Sequence, residues 1–282
     1  MNRFYIQIVF FLLSVFLHVN NKTLATEPAP GTSTTPESTY HYLTPEEVFV
    51  NHQHLLCTNP EEIKGARELM NEAIEHLKKH AESVDDYETC RTDSSLHMLL
   101  YKKKHDEKTD VEKIHYTIFG DSQYYDIIYN IWDPNHASPF NNGSVKITRV
   151  YDPSLVMIQQ RYEKKFLSRQ KYFYALVKRA RISGNKTIIV MTTPNVNDHN
   201  PSKEEYKNKI IENANLLKID IDSEEDIRKG KLEKTVVNLA GYIVEDNVSY
   251  TNITYVESID GHATIYQEWL VGKLFNYYFV RR

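Results

Sequence analysis

Cysteine is nearly absent. The 282 residues hold two, Cys57 and Cys90. A framework of several disulfides is therefore excluded. No second Cys or His pair stands at the spacing a zinc site needs, so no metal is expected. Charge of one sign is also lacking. Thirty-four basic residues meet 38 acidic ones for a net −4, with no long block of either sign. That excludes the basic face of a nucleic-acid binder. There is no glycine-rich phosphate loop, no G-x-S-x-G elbow and no H-E-x-x-H helix. The 12 histidines are scattered, and His199 beside Asp198 in "NDHN" reads as a surface loop. No internal repeat occurs. Nothing here assembles a catalytic constellation, so neither an enzyme nor a cofactor is expected.

Long apolar runs are missing with one exception, Phe4–Val19. It is short for a span across about 30 Å of hydrocarbon. After the weakly positive Asn2-Arg3 it reads as a secretory signal covering residues 1–24; the alternative is a retained signal anchor. Residues 25–40 are rich in Pro, Ser, Thr and Gly and too polar to offset ordering entropy, which predicts a disordered linker. Residues 41–282 suffice for one domain with a sizeable core. In a secreted chain the pair Cys57 and Cys90 suggests one disulfide across an intervening helix; two buried thiols are the other reading. N-x-S/T sequons stand at Asn21, Asn142, Asn185, Asn247 and Asn252.

That helix is well signalled. Asn59 caps, Pro60 fits the first position, and Glu62 completes an Asn-x-x-Glu box. Met70, Ile74, Leu77 and Ala81 recur at helical spacing. Two strands follow, "SLHMLLYKKK" and "EKIHYTIFG". A second helix, "DSQYYDIIYNIW", is stopped by Pro134. Four strands come next: "SVKITRVY", "SLVMIQQRYEK", "QKYFYALVKRARI" and "KTIIVMTT". A polar, partly helical excursion interrupts the meander. Two strands, "KTVVNLAGYIVE" and "SYTNITYVES", and a terminal helix close the chain. This order predicts an α+β fold with a long antiparallel sheet and helices on one side. In the terminal helix Leu270, Val271, Leu274, Phe275, Tyr277 and Tyr278 form one broad apolar arc. It is placed across the concave side of the sheet, over either solid core or a cavity.

Strand alternation sets Met157, Gln159 and Arg161 opposite Val156, Ile158, Gln160 and Tyr162. It sets Tyr172, Tyr174 and Leu176 opposite Phe173, Ala175 and Val177. Val236, Asn238, Ala240 and Tyr242 share a face. Burying Gln, Arg and Asn unpaired is costly, so these groups face either a cavity with a polar ligand head or water.

The strings "LLCTNPEE", "YNIWDPNHA", "GSVKITRVYDPSLVMIQQRY", "KYFYALV", "NDHNPS", "YKNKIIENANL", "NLAGYIVE" and "ITYVESIDGHATI" resemble the rodent-malaria (Plasmodium) fam-a family. Its mature part is a START (steroidogenic acute regulatory protein-related lipid transfer) domain. "KTLATE" (Lys22–Glu27) resembles a relaxed form of the parasite export motif. The resemblance implies a helix-grip fold, a curved sheet wrapped around the C-terminal helix with one lipid between them. It implies non-enzymatic lipid transfer, of phosphatidylcholine or a related phospholipid, with transient membrane contact. It also implies secretion and export into the host cell. Within it, Leu270 and Leu274 would cover the acyl chains. Trp132, Tyr172 and Tyr174 would contact choline, and Arg161 the phosphate, with Asp133 as counter-charge. Gln159 and Asn238 would add polar lining. Tyr129 stands near the place of an Arg that helps hold phosphate in phosphatidylcholine-binding relatives. The alternative is a host-exposed binding or antigenic protein whose START scaffold transfers no lipid.

Overall fold

Asn59 does cap the long helix. Its Oδ1 accepts from Glu61 N at 3.1 Å and Glu62 N at 3.3 Å, and Pro60 occupies the first turn. The reciprocal half of the expected box is not made, because the Glu62 carboxylate instead accepts from Arg149 and Tyr151. The helix, Pro60–Glu82, is α2; a shorter α1, Pro45–Asn51, precedes it with a complete Thr44–Glu47 box. Ala66, Leu69, Met70, Ala73 and Leu77 are its buried face, at the i, i+3, i+4 spacing of an amphipathic helix. Burying each large one is worth about 1.5–3 kcal/mol. The computed structural model describes residues 43–94, 97–107, 109–120, 124–135, 143–164, 168–202, 204 and 206–261. Contacts divide the chain into Met1–His41 and Tyr42–Arg282, and the first unit lies outside the described residues.

The strands are β1 Glu88–Asp93, β2 Met98–Lys104, β3 Asp110–Phe119, β4 Gly143–Asp152, β5 Leu155–Tyr162, β6 Lys171–Ser183 and β7 Lys186–Thr192. They continue with β8 Asn195–Asn197, β9 Lys218–Asp220, β10 Glu233–Lys234, β11 Val237–Asn247 and β12 Tyr250–Ile259. Helix α3 is Tyr124–Trp132 and α4 is Glu225–Arg228. The main sheet runs β1-β2-β3-β12-β11-β7-β6-β5-β4, with β10 added beside β6. All neighbours on that path are antiparallel, β10 joins β6 in parallel, and β8 and β9 form a separate parallel pair. The fold is α+β, with a large antiparallel sheet and few helices. β1 was not expected: "ETCRTD" is polar, and its mostly exposed burial pattern is that of a sheet edge.

Both faces of the sheet are covered. Against one, α2 packs on Tyr174, Leu176, Ile188, Val190 and Leu239, and Ile211, Ala214, Ile219 and Ile227 of the excursion join the same cluster. The backbones approach closely here. A Cβ on Gly241 would lie 2.8 Å from Leu77 Cδ2 and 2.3 Å from Ile189 O. Against the other face lie α3 and Val48 of α1, over Ile147, Ile158, Phe173, Ala175, Tyr242 and Tyr255.

The expected disulfide is not formed; both cysteines are free. Cys57 N bonds Val150 O of β4 at 2.8 Å, whereas Cys90 lies in β1. These strands end opposite sides of the sheet path, and α2, about 34 Å long, separates the two residues. A bridge needs Cα atoms within about 7 Å. Both thiols should therefore alkylate in unfolded protein without reductant; protection of both would mean a bridge.

The α2 C-terminus carries a titratable lock. His80 Nδ1 lies 2.8 Å from Tyr87 OH. Burial, then the Lys103 charge, lowers the His80 pKa from 6.5 to about 4. The folded protein thus keeps this ring neutral while the unfolded chain protonates it. Stability should be full above pH 6.5, fall between 6.5 and 4, and lose nothing more from this group below that. After solvent screening the loss is of order 1–2 kcal/mol. His80→Gln should flatten that part of a pH–stability curve.

Candidate functional site

Helix α3 and strands β4 to β7 and β11 bound an apolar groove on the second face. Ile131, Trp132, Asp133 and Pro134 form one wall. Val145, Ile147, Val156, Ile158, Val177, Ile189, Met191 and Tyr242 form the floor, and Gln160 adds one polar group. Its volume is about 60 Å³, against the roughly 300–1,000 Å³ of pockets that hold small-molecule ligands. Tyr242 and Tyr255 rings lie 4.5 Å apart beneath it, and Tyr255 OH donates to Glu257 Oε2 at 2.7 Å. The Trp132 indole N–H is buried and has no hydrogen-bond partner among the described residues. A buried donor left so costs about 1–3 kcal/mol, a cost that an acceptor on a ligand would remove.

Of the residues selected from the sequence, Trp132 and Asp133 line this groove. Asp133 is not the counter-charge of Arg161. Its Oδ1 accepts from Asn135 N and Nδ2, both at 2.9 Å, and Oδ2 accepts from Leu43 N at 3.2 Å. It fixes the turn after α3 and ties the chain before α1 to the groove wall.

Gln159, Arg161, Tyr172, Tyr174 and Asn238 are not part of the groove lining. Tyr172 and Tyr174 belong to the core cluster under α2 and the excursion, where choline cannot reach their rings. Arg161 forms a two-pronged pair with Asp226, at 2.6 and 3.0 Å, and its Nε donates to Gln159 Oε1 at 3.1 Å. The Asp226 hydrogen bond is the main reason the Arg161 pKa is raised. A guanidinium so engaged is not available to a phosphate. Gln159 Nε2 donates to Tyr174 OH and Glu224 Oε2, each at 2.6 Å. Burial pushes the Glu224 carboxyl up, but hydrogen bonds from Gln159 and Lys146 outweigh it and hold the pKa at about 2. Tyr172 OH donates to Asp198 Oδ2 at 2.8 Å, and Lys234 Nζ donates to Asp198 Oδ1 at 3.1 Å. Burial, then the Asp198 charge, pushes the Tyr172 phenol up. Asn238 Oδ1 accepts from Lys209 N at 2.8 Å, and its Nδ2 donates to Asp260 Oδ1 at 2.9 Å.

These polar groups are therefore engaged within the protein, with Arg161 and its carboxylate partners keeping part of their surface in water. They bolt the excursion onto the sheet, since Asp198, Lys209, Glu224 and Asp226 all come from the segment between β7 and β11. The floor residues missed in the selection had a signal: Val156, Ile158 and Val177 sit on the alternate face that reads as almost purely apolar. Leu270 and Leu274 lie outside the described residues. Among the described residues no group of three or more His, Cys, Asp or Glu could hold a metal ion.

No protein-family model matches the chain, and no curated protein matches it. Among solved structures it is similar to human STARD10, at TM-score 0.49 and 10% identity over 72% of each chain. It is also similar to human StAR-related lipid transfer protein 5, at TM-score 0.48 and 10% identity over 74% of this chain and 88% of that one. A third is the human StarD13 lipid transfer and protein localization domain, at TM-score 0.43 and 14% identity over 67% and 84%.

Proposed function

We propose that the chain is a non-enzymatic lipid carrier whose groove takes the acyl part of one phospholipid. The observation that supports this most is the groove itself. A largely apolar floor lies beside a wall that presents a tryptophan N–H with no partner among the described residues. Leaving a bilayer removes each lipid methylene from an apolar medium, and returning it to water would cost about 0.8 kcal/mol. An apolar groove avoids that cost, which is what a carrier needs. The described lining holds one carboxylate, Asp133, and no cation. That charge pattern favours a headgroup without net negative charge, such as phosphatidylcholine, with the Trp132 ring placed for a cation–π contact. At about 60 Å³ the groove is too small for two acyl chains, so loading requires it to widen. We assign the cover to the apolar arc around Leu270 and Leu274. Secretion, export into a host cell and fam-a membership are the setting in which this carrier would work. They rest on the leader, on "KTLATE" and on the family-like strings.

The small volume favours a second reading, a START-like scaffold that binds a protein and carries no lipid. Transfer of fluorescent phosphatidylcholine between vesicles separates the two. The carrier reading expects transfer that scales with protein concentration. Folded protein without transfer would support the scaffold.

A further inference from the structure

Two turns, one strand end and one helix start meet at a single end of the sheet. β3, β12, β11, β7 and β6 are consecutive neighbours, so the end of β3, the β11–β12 turn and the β6–β7 turn lie side by side. Gly120 N donates to Ser249 O at 3.2 Å, and Asp246 N to Asn185 O at 2.8 Å. Tyr124 OH of α3 lies 2.7 Å from Thr187 Oγ1 of β7, which brings the helix start to the same end. Eight large apolar side chains are exposed among the described residues, and four of them are here: Phe119 (59%), Tyr125 (54%), Ile182 (38%) and Val248 (99%). Singly exposed apolar residues need no explanation, but a group at one end does.

We propose that this end is a membrane-docking surface, on which Phe119, Tyr125, Ile182 and Val248 insert among the headgroups of a lipid bilayer. The inference rests on reading the groove as a lipid site, and it adds where the carrier meets its membrane. Three observations favour lipid over a second protein. The apolar groups come from four separate elements, the end of β3, the start of α3, the end of β6 and the β11–β12 turn, whereas a stable protein interface needs about 800 Å² of well-packed surface per partner. Polar groups at the tips are already bonded within the protein. Arg181 donates to Ser183 O at 3.1 Å and to Gly184 O, and Asn185 Nδ2 donates to Asp246 O at 2.9 Å. The Asn185 amide so paired costs little to bring into an interface poor in water, and the Arg181 guanidinium keeps its charge at the level of the lipid phosphates. Lys186 is paired with Glu245 at 3.1 Å, which suits a zwitterionic surface better than an anionic one. Aromatic side chains such as Phe119 and Tyr125 also fit the headgroup layer. The aromatic series continues along α3, with Tyr125 and Tyr129 ring centres 6.1 Å apart, towards Trp132 in the groove.

The test is co-sedimentation of the full chain with phosphatidylcholine vesicles. The double variant Phe119→Ser, Val248→Ser should lower the partition coefficient at least ten-fold. Val84→Ser and Leu216→Ser remove equally exposed apolar groups elsewhere and should leave it unchanged. Tip variants that sediment like the parent, controls that fall as far, or a parent that does not partition would overturn the proposal. So would a parent dimer in sedimentation equilibrium that the tip variants dissociate. Bound lipid, read separately by mass spectrometry, should persist in the tip variants. Its absence from every form would count against the carrier reading while leaving vesicle partition to decide the docking surface.

Discussion

Val177→Asp is expected to leave the purified protein without lipid and to abolish transfer. Val177 lies on the groove floor, in register with Val156 of β5 and Met191 of β7. A carboxylate there meets no cation among the described lining residues. Holding it against acyl chains would cost several kcal/mol, more than enough to empty the site. Val177 is buried, so the new charge also weakens folding. Met191→Trp separates the two effects. It keeps the floor apolar and fills the space the chains would use, so the protein should stay folded and still lose lipid. A folded Met191→Trp protein with normal transfer would place the lipid elsewhere.

Lys113→Met is expected to destabilise the domain by about 2 kcal/mol, since its ammonium supplies donors for buried carbonyls. Lys113 is on β3 and is 4% exposed. Its Nζ donates to Ser83 O at 2.7 Å, His80 O at 3.3 Å and Ala81 O at 3.4 Å. These carbonyls close the last turn of α2, where a helix has acceptors without internal donors. The ammonium also lies 4.3 Å from the Tyr87 ring centre and 5.1 Å from that of Tyr101. Burial lowers its pKa, so the cap has a desolvation cost that methionine would not have. The prediction is that lost donors outweigh that relief. Thermal unfolding should show a fall of about 5 °C or more; an unchanged or raised midpoint would mean that the relief wins.

The sequence made most strands legible because period-2 patterning and turn residues agree across the meander. β1 escaped for want of apolar residues at an edge. Which side chains share a face of β5 and β6 was also legible. Which face holds the groove was not. Gln159 and Arg161 look like ligand-binding groups until Glu224 and Asp226 are placed beside them, 65 residues further on. No local pattern announces that pairing. The groove face was passed over because an apolar floor and a packed core read alike. The disulfide expectation failed for a related reason: α2 spans the sheet and delivers its two ends to opposite edge strands.

Native mass spectrometry of the folded, purified domain tests the central claim most directly. The folded parent should fly as a species heavier by one phospholipid, released on unfolding and missing from Met191→Trp. A folded parent that flies only at the mass of the bare chain, after exposure to phosphatidylcholine vesicles, would contradict it.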